Sequence, residues 1–174
     1  MPALIYSSRE ELEVHRFTLP VAVGIPLLAI FFQAFVPVRL SVFHIFDVPL
    51  IIVLFFAVAR RNPLMGLLTG SVVGLIQDSL TQHQIGIYGI SKTVIGYLAS
   101  SMGVKLDVEN PGSRILITFA FSLLHNLIYF AIAKKMVGLM VEWRWGHEFG
   151  SAVANALLAV ALFAILDRTK HRSL

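Results

Sequence analysis

The side chains able to do chemistry are few and sit mostly in one stretch. Asp78, Ser79 and His83 fall within six residues and supply the carboxylate, hydroxyl and imidazole of a nucleophilic triad. Triads are assembled by folding rather than by adjacency, and no GxSxG elbow occurs, so this run does not read as a hydrolase centre. The six histidines (His15, His44, His83, His125, His147 and His171) form no HExxH or paired-ligand pattern, and there is no GxxxxGK[ST] phosphate loop. Cysteine is absent, which removes disulfides and thiolate metal sites. What remains is a polar group of Asp47, Gln77, Asp78 and Lys92 in apolar surroundings. An isolated buried ion carries a desolvation cost, so these residues are expected to form a local network. The plainer alternative has Lys92 snorkelling to water while Asp78 caps a helix end.

The elements that must position these residues are membrane spans. Of 174 residues, 57% are hydrophobic and only 14% charged, with mean hydropathy +0.79. Soluble domains run about 45–50% apolar and about 25% charged. Six helices of about 20 residues would consume about 120 positions and leave no room for a separate soluble domain. Charge-free runs of 22 residues (Phe17–Val38), 19 (Ile115–Ala133) and 18 (Phe149–Leu166) mark three spans. Three more carry one charge towards an end, where its insertion cost is low. The expected spans are 17–36, 42–59, 63–80, 87–104, 115–133 and 149–166, a single all-α bundle of six transmembrane helices.

Six spans place both termini on one side. That side holds nine Lys and Arg residues (Arg9, Arg16, Arg60, Arg61, Lys105, Arg114, Arg168, Lys170 and Arg172) against four on the other (Arg39, Lys134, Lys135 and Arg144). Positive residues are retained in the cytoplasm, so cytoplasmic termini are expected, and Asp47, Asp78 and Lys92 then lie at the outer end. The pI near 9.7 therefore reflects membrane sidedness rather than nucleic-acid binding. Ser8-Arg9-Glu10-Glu11 reads as a capping box opening a short interfacial helix, and the acidic start does not read as a cleavable signal. Pro20 and Pro26 predict a kink or broken turn in the first span. Asn110-Pro111-Gly112-Ser113 reads as a turn with a following cap, and Trp143 and Trp145 suit an interface belt.

Gly66, Gly70 and Gly74 recur every four residues and so line one helix face, a device for close helix approach in membranes. That face serves either packing inside the bundle or docking of a partner's transmembrane helix. In the second case, short outer loops would seat the partner's first residues beyond the membrane. Gly86 and Gly89 allow a tight return into the membrane. His125, Asn126 and Asn155 lie mid-span and are expected to make interhelical hydrogen bonds or to line a small-ligand pocket.

Taken together, Arg60-Arg61-x-Pro63, Gly66, Gly70, Gly74, Leu75-Ile76-Gln77-Asp78-Ser79-Leu80, Gly86, Lys92, Gly96 and Tyr97 resemble the bacterial rod shape-determining protein MreD family. The closest local match is G-L-x-Q-D-S-L followed by a glycine and K-x-x-x-G-Y, about a quarter of the chain. The resemblance implies a non-enzymatic inner-membrane subunit of the cell-elongation machinery. Its partners would be the single-span scaffold MreC and, with it, a glycan polymerase and a transpeptidase of peptidoglycan synthesis. It also implies a fold like the substrate-binding subunits of vitamin importers, and Gly86, Gly89, Gly96 and Tyr97 as turn and fourth-span contacts. The rival function is small-molecule binding as such an importer subunit. The AxxxA motif frequent in that family's first helix is missing, since Ala22 is followed four residues later by Pro26 and Ala29 by Gln33. No catalytic residue, cofactor or metal is assigned.

Overall fold

The computed structural model describes residues 15–81, 84–103, 110–169 and 171–172. Six helices form one bundle: α1 (Leu19–Arg39), α2 (Val48–Arg60), α3 (Pro63–Leu80), α4 (Ile87–Gly103), α5 (Pro111–Ala131) and α6 (Trp145–Leu166). Ser41–Ile45 forms a 3-10 turn before α2, and Ile132–Met136 a π-type turn after α5. A two-residue antiparallel pairing sets His15 opposite Arg172 and Arg16 opposite His171. Both terminal segments therefore share one end of the bundle, hereafter the proximal end. The Ser8–Glu11 capping box and the interfacial helix expected from it lie outside the described residues, as does His83.

Five of the helical stretches are long and apolar enough to cross a membrane. The sixth, α4, has 17 residues and carries Ser91, Lys92, Ser100 and Ser101. It is less apolar because its polar face is turned into the bundle: Ser91, Lys92 and Ser100 are fully buried. By contrast α1 turns Leu19, Leu28 and Val38 outward, each more than 70% exposed. Large outward apolar side chains beside inward polar ones are what a lipid solvent requires.

The central element is α2. Every residue from Pro49 to Ala59 is buried, so this helix is apolar all round and wrapped by the others. Its start departs from the expected span at 42. Residues 42–47 form the 3-10 turn and the cap, because Asp47 ends the turn and captures the Leu50 amide at 3.0 Å. Thirteen helical residues rise only about 20 Å, and the preceding turn adds about 10 Å. Such a short central helix is tolerable because protein, not lipid, surrounds its ends.

Local signals account for the other boundaries. Asn62 caps α3 through bonds to Leu64 N and Met65 N at 3.0 and 3.2 Å, with Pro63 in the first turn. Asn110 caps α5 by accepting from Gly112 N at 2.8 Å, so that helix begins at Pro111, before the expected 115. Pro20 does not break α1, because it falls in the first turn where no amide partner is needed. Pro26 and Pro37 lie inside a continuous helix and are buried.

The glycine stripe is used within the chain. A Cβ at Gly66 would run into the Gly96 carbonyl and Ser100 Oγ, one at Gly70 into the Lys92 carbonyl, and one at Gly74 into the Tyr88 carbonyl. A Cβ at Gly96 would in turn strike the Gly66 carbonyl. The backbones of α3 and α4 thus touch along their length, and theirs is the most extensive contact in the bundle. This corrects the expectation of a groove for a partner helix, since α4 already fills it. Tyr97, in the same helix, is 48% exposed.

At the proximal end Phe17, Phe55, Phe56 and Phe163 form an aromatic core, with the Arg60 guanidinium over the Phe17 and Phe56 rings. Arg114, 8% exposed, pairs with Asp167 at 2.7 Å and joins α5 to the end of α6. Overpacking a core costs about 1–3 kcal/mol, and more where the obstacle is backbone. Gly70→Leu is therefore expected to abolish monodisperse protein after detergent extraction. Gly24→Leu, where an added Cβ meets open space, should leave yield and thermal unfolding unchanged.

Candidate functional site

The polar residues converge at the distal end, away from the termini, and begin with the α2 N-terminus. A helix start leaves amides without partners. Here Asp47 N donates to Asn155 Oδ1 of α6 (2.9 Å) and Val48 N donates to Gln33 Oε1 of α1 (3.2 Å). Pro49 has no amide hydrogen, Leu50 N donates to Asp47 Oδ1, and Ile51 N to the Asp47 carbonyl at 3.2 Å. Every amide at this buried start is accounted for.

Asp47 Oδ2 then accepts from Lys92 Nζ at 2.6 Å. Lys92 is fully buried, and its ammonium has three hydrogens to place. One goes to Asp47 and a second to His125 Nε2 at 3.3 Å, while the Tyr88 ring lies 4.6 Å from Nζ for the third. His125 Nδ1 lies 3.4 Å from Asn126 Oδ1, which fits a ring protonated on Nδ1 with Nε2 free to accept. The Tyr88 and His125 rings stack at 5.8 Å, and Tyr129 closes on Tyr88 at 4.8 Å. Ser151 Oγ donates to the Ile45 carbonyl at 2.8 Å and accepts from Asn155 Nδ2 at 3.3 Å, which ties α6 to the 3-10 turn. One network therefore holds α1, α2, α4, α5 and α6.

Asp78 caps a helix end, as the plainer alternative had it, although Lys92 is buried rather than snorkelling to water. Its carboxylate does not bond Lys92 but accepts the amides of Gly86 (2.8 Å), Tyr88 (3.1 Å) and Gly89 (3.1 Å). The last residues of α3 thus cap the start of α4, where a negative group also meets the favourable end of the helix dipole. Gly86 sits at φ +107, a conformation that disfavours any side chain. Gly89 lies beneath Leu75, closer than a Cβ would allow without movement of that side chain.

Among the mid-span residues, His125 and Asn155 make interhelical bonds, whereas Asn126 lies beside its neighbour His125 and lines an open space. That space is a cavity of about 770 Å³ at the distal end, to which α1, α3, α4, α5 and α6 contribute together with the turn and cap that lead into α2. Asp47 and His125 belong to its lining, as do Gln77, Tyr88, Tyr129 and Glu148. Gln77 is 2% exposed, and its Oε1 has no hydrogen-bond partner among the described residues. Gln33, Ser151 and the Arg114–Asp167 pair were not singled out in the sequence; a lone glutamine or serine in an apolar run carries no periodic signal. Among the described residues no three of His, Asp and Glu gather as a metal ion would need.

A family model described as rod shape-determining protein MreD matches residues 15–168. The chain belongs to the MreD family. No curated protein and no solved structure matches it. As an MreD family member it is a rod shape-determining integral membrane protein, and the residues that carried the resemblance now have physical roles. Gly66, Gly70, Gly74 and Gly96 let α3 and α4 touch, Asp78 with Gly86 and Gly89 builds the turn between them, and Lys92 locks α4 to α2 and α5.

Removing one partner of a buried ion pair costs about 3–5 kcal/mol because the other charge is left uncompensated. Asp47→Asn and Lys92→Met should each lower unfolding stability in detergent, and the double variant should lose about 1–3 kcal/mol less than the sum. The Asp78→Ala and Lys92→Met pair should be closer to additive. In hydrogen exchange, Asp78→Ala should deprotect the amides of Gly86, Tyr88 and Gly89 selectively.

Proposed function

We propose that this chain is a non-enzymatic inner-membrane subunit of the cell-elongation complex that docks an MreC-like single-span scaffold at its distal cavity. The observation that carries this reading is the cavity itself: about 770 Å³, open at one end of the bundle and lined from five helices and the turn that leads into α2. With the glycine face closed by α4, the cavity offers a concave, partly polar surface for a partner's membrane-proximal residues. The nine-to-four excess of Lys and Arg on the terminal side supports cytoplasmic termini. The cavity then opens on the outer face, where peptidoglycan is built, and the glycan polymerase and transpeptidase are reached through the scaffold.

A second reading draws on the same cavity. Its volume lies within the range of about 300–1,000 Å³ usual for small-molecule sites. A small-molecule-binding subunit related to vitamin importers would therefore retain a ligand through purification, detectable by mass spectrometry of the denatured protein.

The absence of cysteine makes sidedness directly measurable. Lys135→Cys, exposed in the turn after α5, should react with a membrane-impermeant thiol reagent in spheroplasts, and Arg168→Cys only after lysis; the reverse pattern overturns the assigned orientation. Depletion in the host should turn rods into rounded cells and remove the scaffold's co-purifying partners together. Normal rods with an unchanged partner set would refute the reading.

A further inference from the structure

The distal cavity has a one-sided chemistry. Three carboxylates, Asp47, Glu142 and Glu148, line it, and among the described residues no lysine or arginine does. Asp47 is already matched by Lys92, which lies behind it and fully buried. Among the described residues Glu148 pairs with no lysine or arginine: its side chain is only 18% exposed, and His147 Nδ1 lies 3.4 Å from its Oε1. Gln77 Oε1 adds a buried acceptor without a donor among the described residues. Tyr129 and Phe130 contribute aromatic rings to the same wall, the Phe130 ring already being faced by Lys134 Nζ at 5.2 Å. A partly desolvated carboxylate such as Glu148 attracts a cation far more strongly than an exposed one such as Glu142, and the Tyr129 ring adds to that attraction. An unsatisfied buried carbonyl oxygen calls for an N–H. All three observations ask for one guest: a positively charged group rich in N–H donors.

We propose that the cavity receives a basic side chain, arginine or lysine, carried on a polypeptide segment emerging from the membrane beside this chain. Glu148 and Glu142 are its charge partners and Gln77 Oε1 its neutral acceptor. Val38, Leu80 and Val141 add apolar surface to the lining, which suits the polypeptide carrying the cation better than a free small cation. The proposal rests on the scaffold-docking reading and names the chemistry by which docking occurs.

The test uses full-length protein in nanodiscs and the full-length single-span scaffold from the same organism, with spermidine as a free-cation probe. Glu148→Gln should weaken scaffold binding about tenfold and the Glu142→Gln, Glu148→Gln double variant further, while Glu148→Asp retains most of the affinity. Wild-type binding should weaken as salt rises, and the double variant should lose that dependence. Asn126→Trp, which fills the cavity, should abolish binding in protein that stays monodisperse. Undiminished binding to the double variant, with Asn126→Trp still blocking, overturns the cationic guest and leaves docking in place. Failure of the wild type to bind, or indifference to Asn126→Trp, overturns the docking reading and this proposal with it. Spermidine binding without scaffold binding identifies a free cation as the guest and refutes the polypeptide.

Discussion

A lysine ammonium taken wholly inside a lipid-embedded bundle must find a carboxylate, and much of this architecture follows from that requirement. Lys92 is fully buried one turn into α4 and meets Asp47 at 2.6 Å. Asp47 can be there only because it is the cap of α2, where its second oxygen is needed by the Leu50 amide. A helix start inside the bundle then demands partners for its other amides, which Gln33 and Asn155 supply from α1 and α6. Each satisfied group thus recruits another helix, and the sum is a floor shared by five of the six. The remaining helix, α3, joins through Asp78 and the α4 start.

Polar satisfaction fixes where the helices meet but not how closely. In lipid there is no water to expel between apolar faces, so association rests on van der Waals contact and hydrogen bonds. The Gly66–Gly70–Gly74 face brings the α3 backbone onto the α4 carbonyls of Gly96, Lys92 and Tyr88. That contact and the Asp78 cap act at one hairpin: the cap sets the turn, and the glycines let the arms close. Closed arms carry Lys92 to the depth of Asp47, so the ion pair, the glycine stripe and the cap are three parts of one construction.

These parts were unequally legible in the sequence. The spans, the glycine face and the polar group follow from periodicity and from charge gaps, because one-dimensional spacing determines which residues share a helix face. Pairing does not follow, because spacing along one helix says nothing about which helix lies opposite. Asp78 and Lys92, fourteen positions apart around one turn, look like natural partners; Asp47 and Lys92, linked at 2.6 Å, do not. The glycine stripe was equally ambiguous, since a smooth face fits an internal or an external helix alike. The burial of α2 on all sides was readable only in its uninterrupted apolar run from Val48 to Ala59, which a lipid-facing span would show equally well.

The cavity is a consequence of the same construction rather than an addition to it. Because α2 starts deep, with Asp47 as its cap, the distal ends of the other helices extend past it and have no central helix to pack on. The space beside Asp47 is left open, lined among others by Gln77, Tyr129 and Glu148. The short central helix that needs a buried ion pair is thus also what leaves a receptor-sized hollow at one end. In a chain with almost no mass outside the bilayer, that is the economical way to present a concave surface: recess one helix, satisfy its exposed start with charges and amides, and let the surrounding five form the wall.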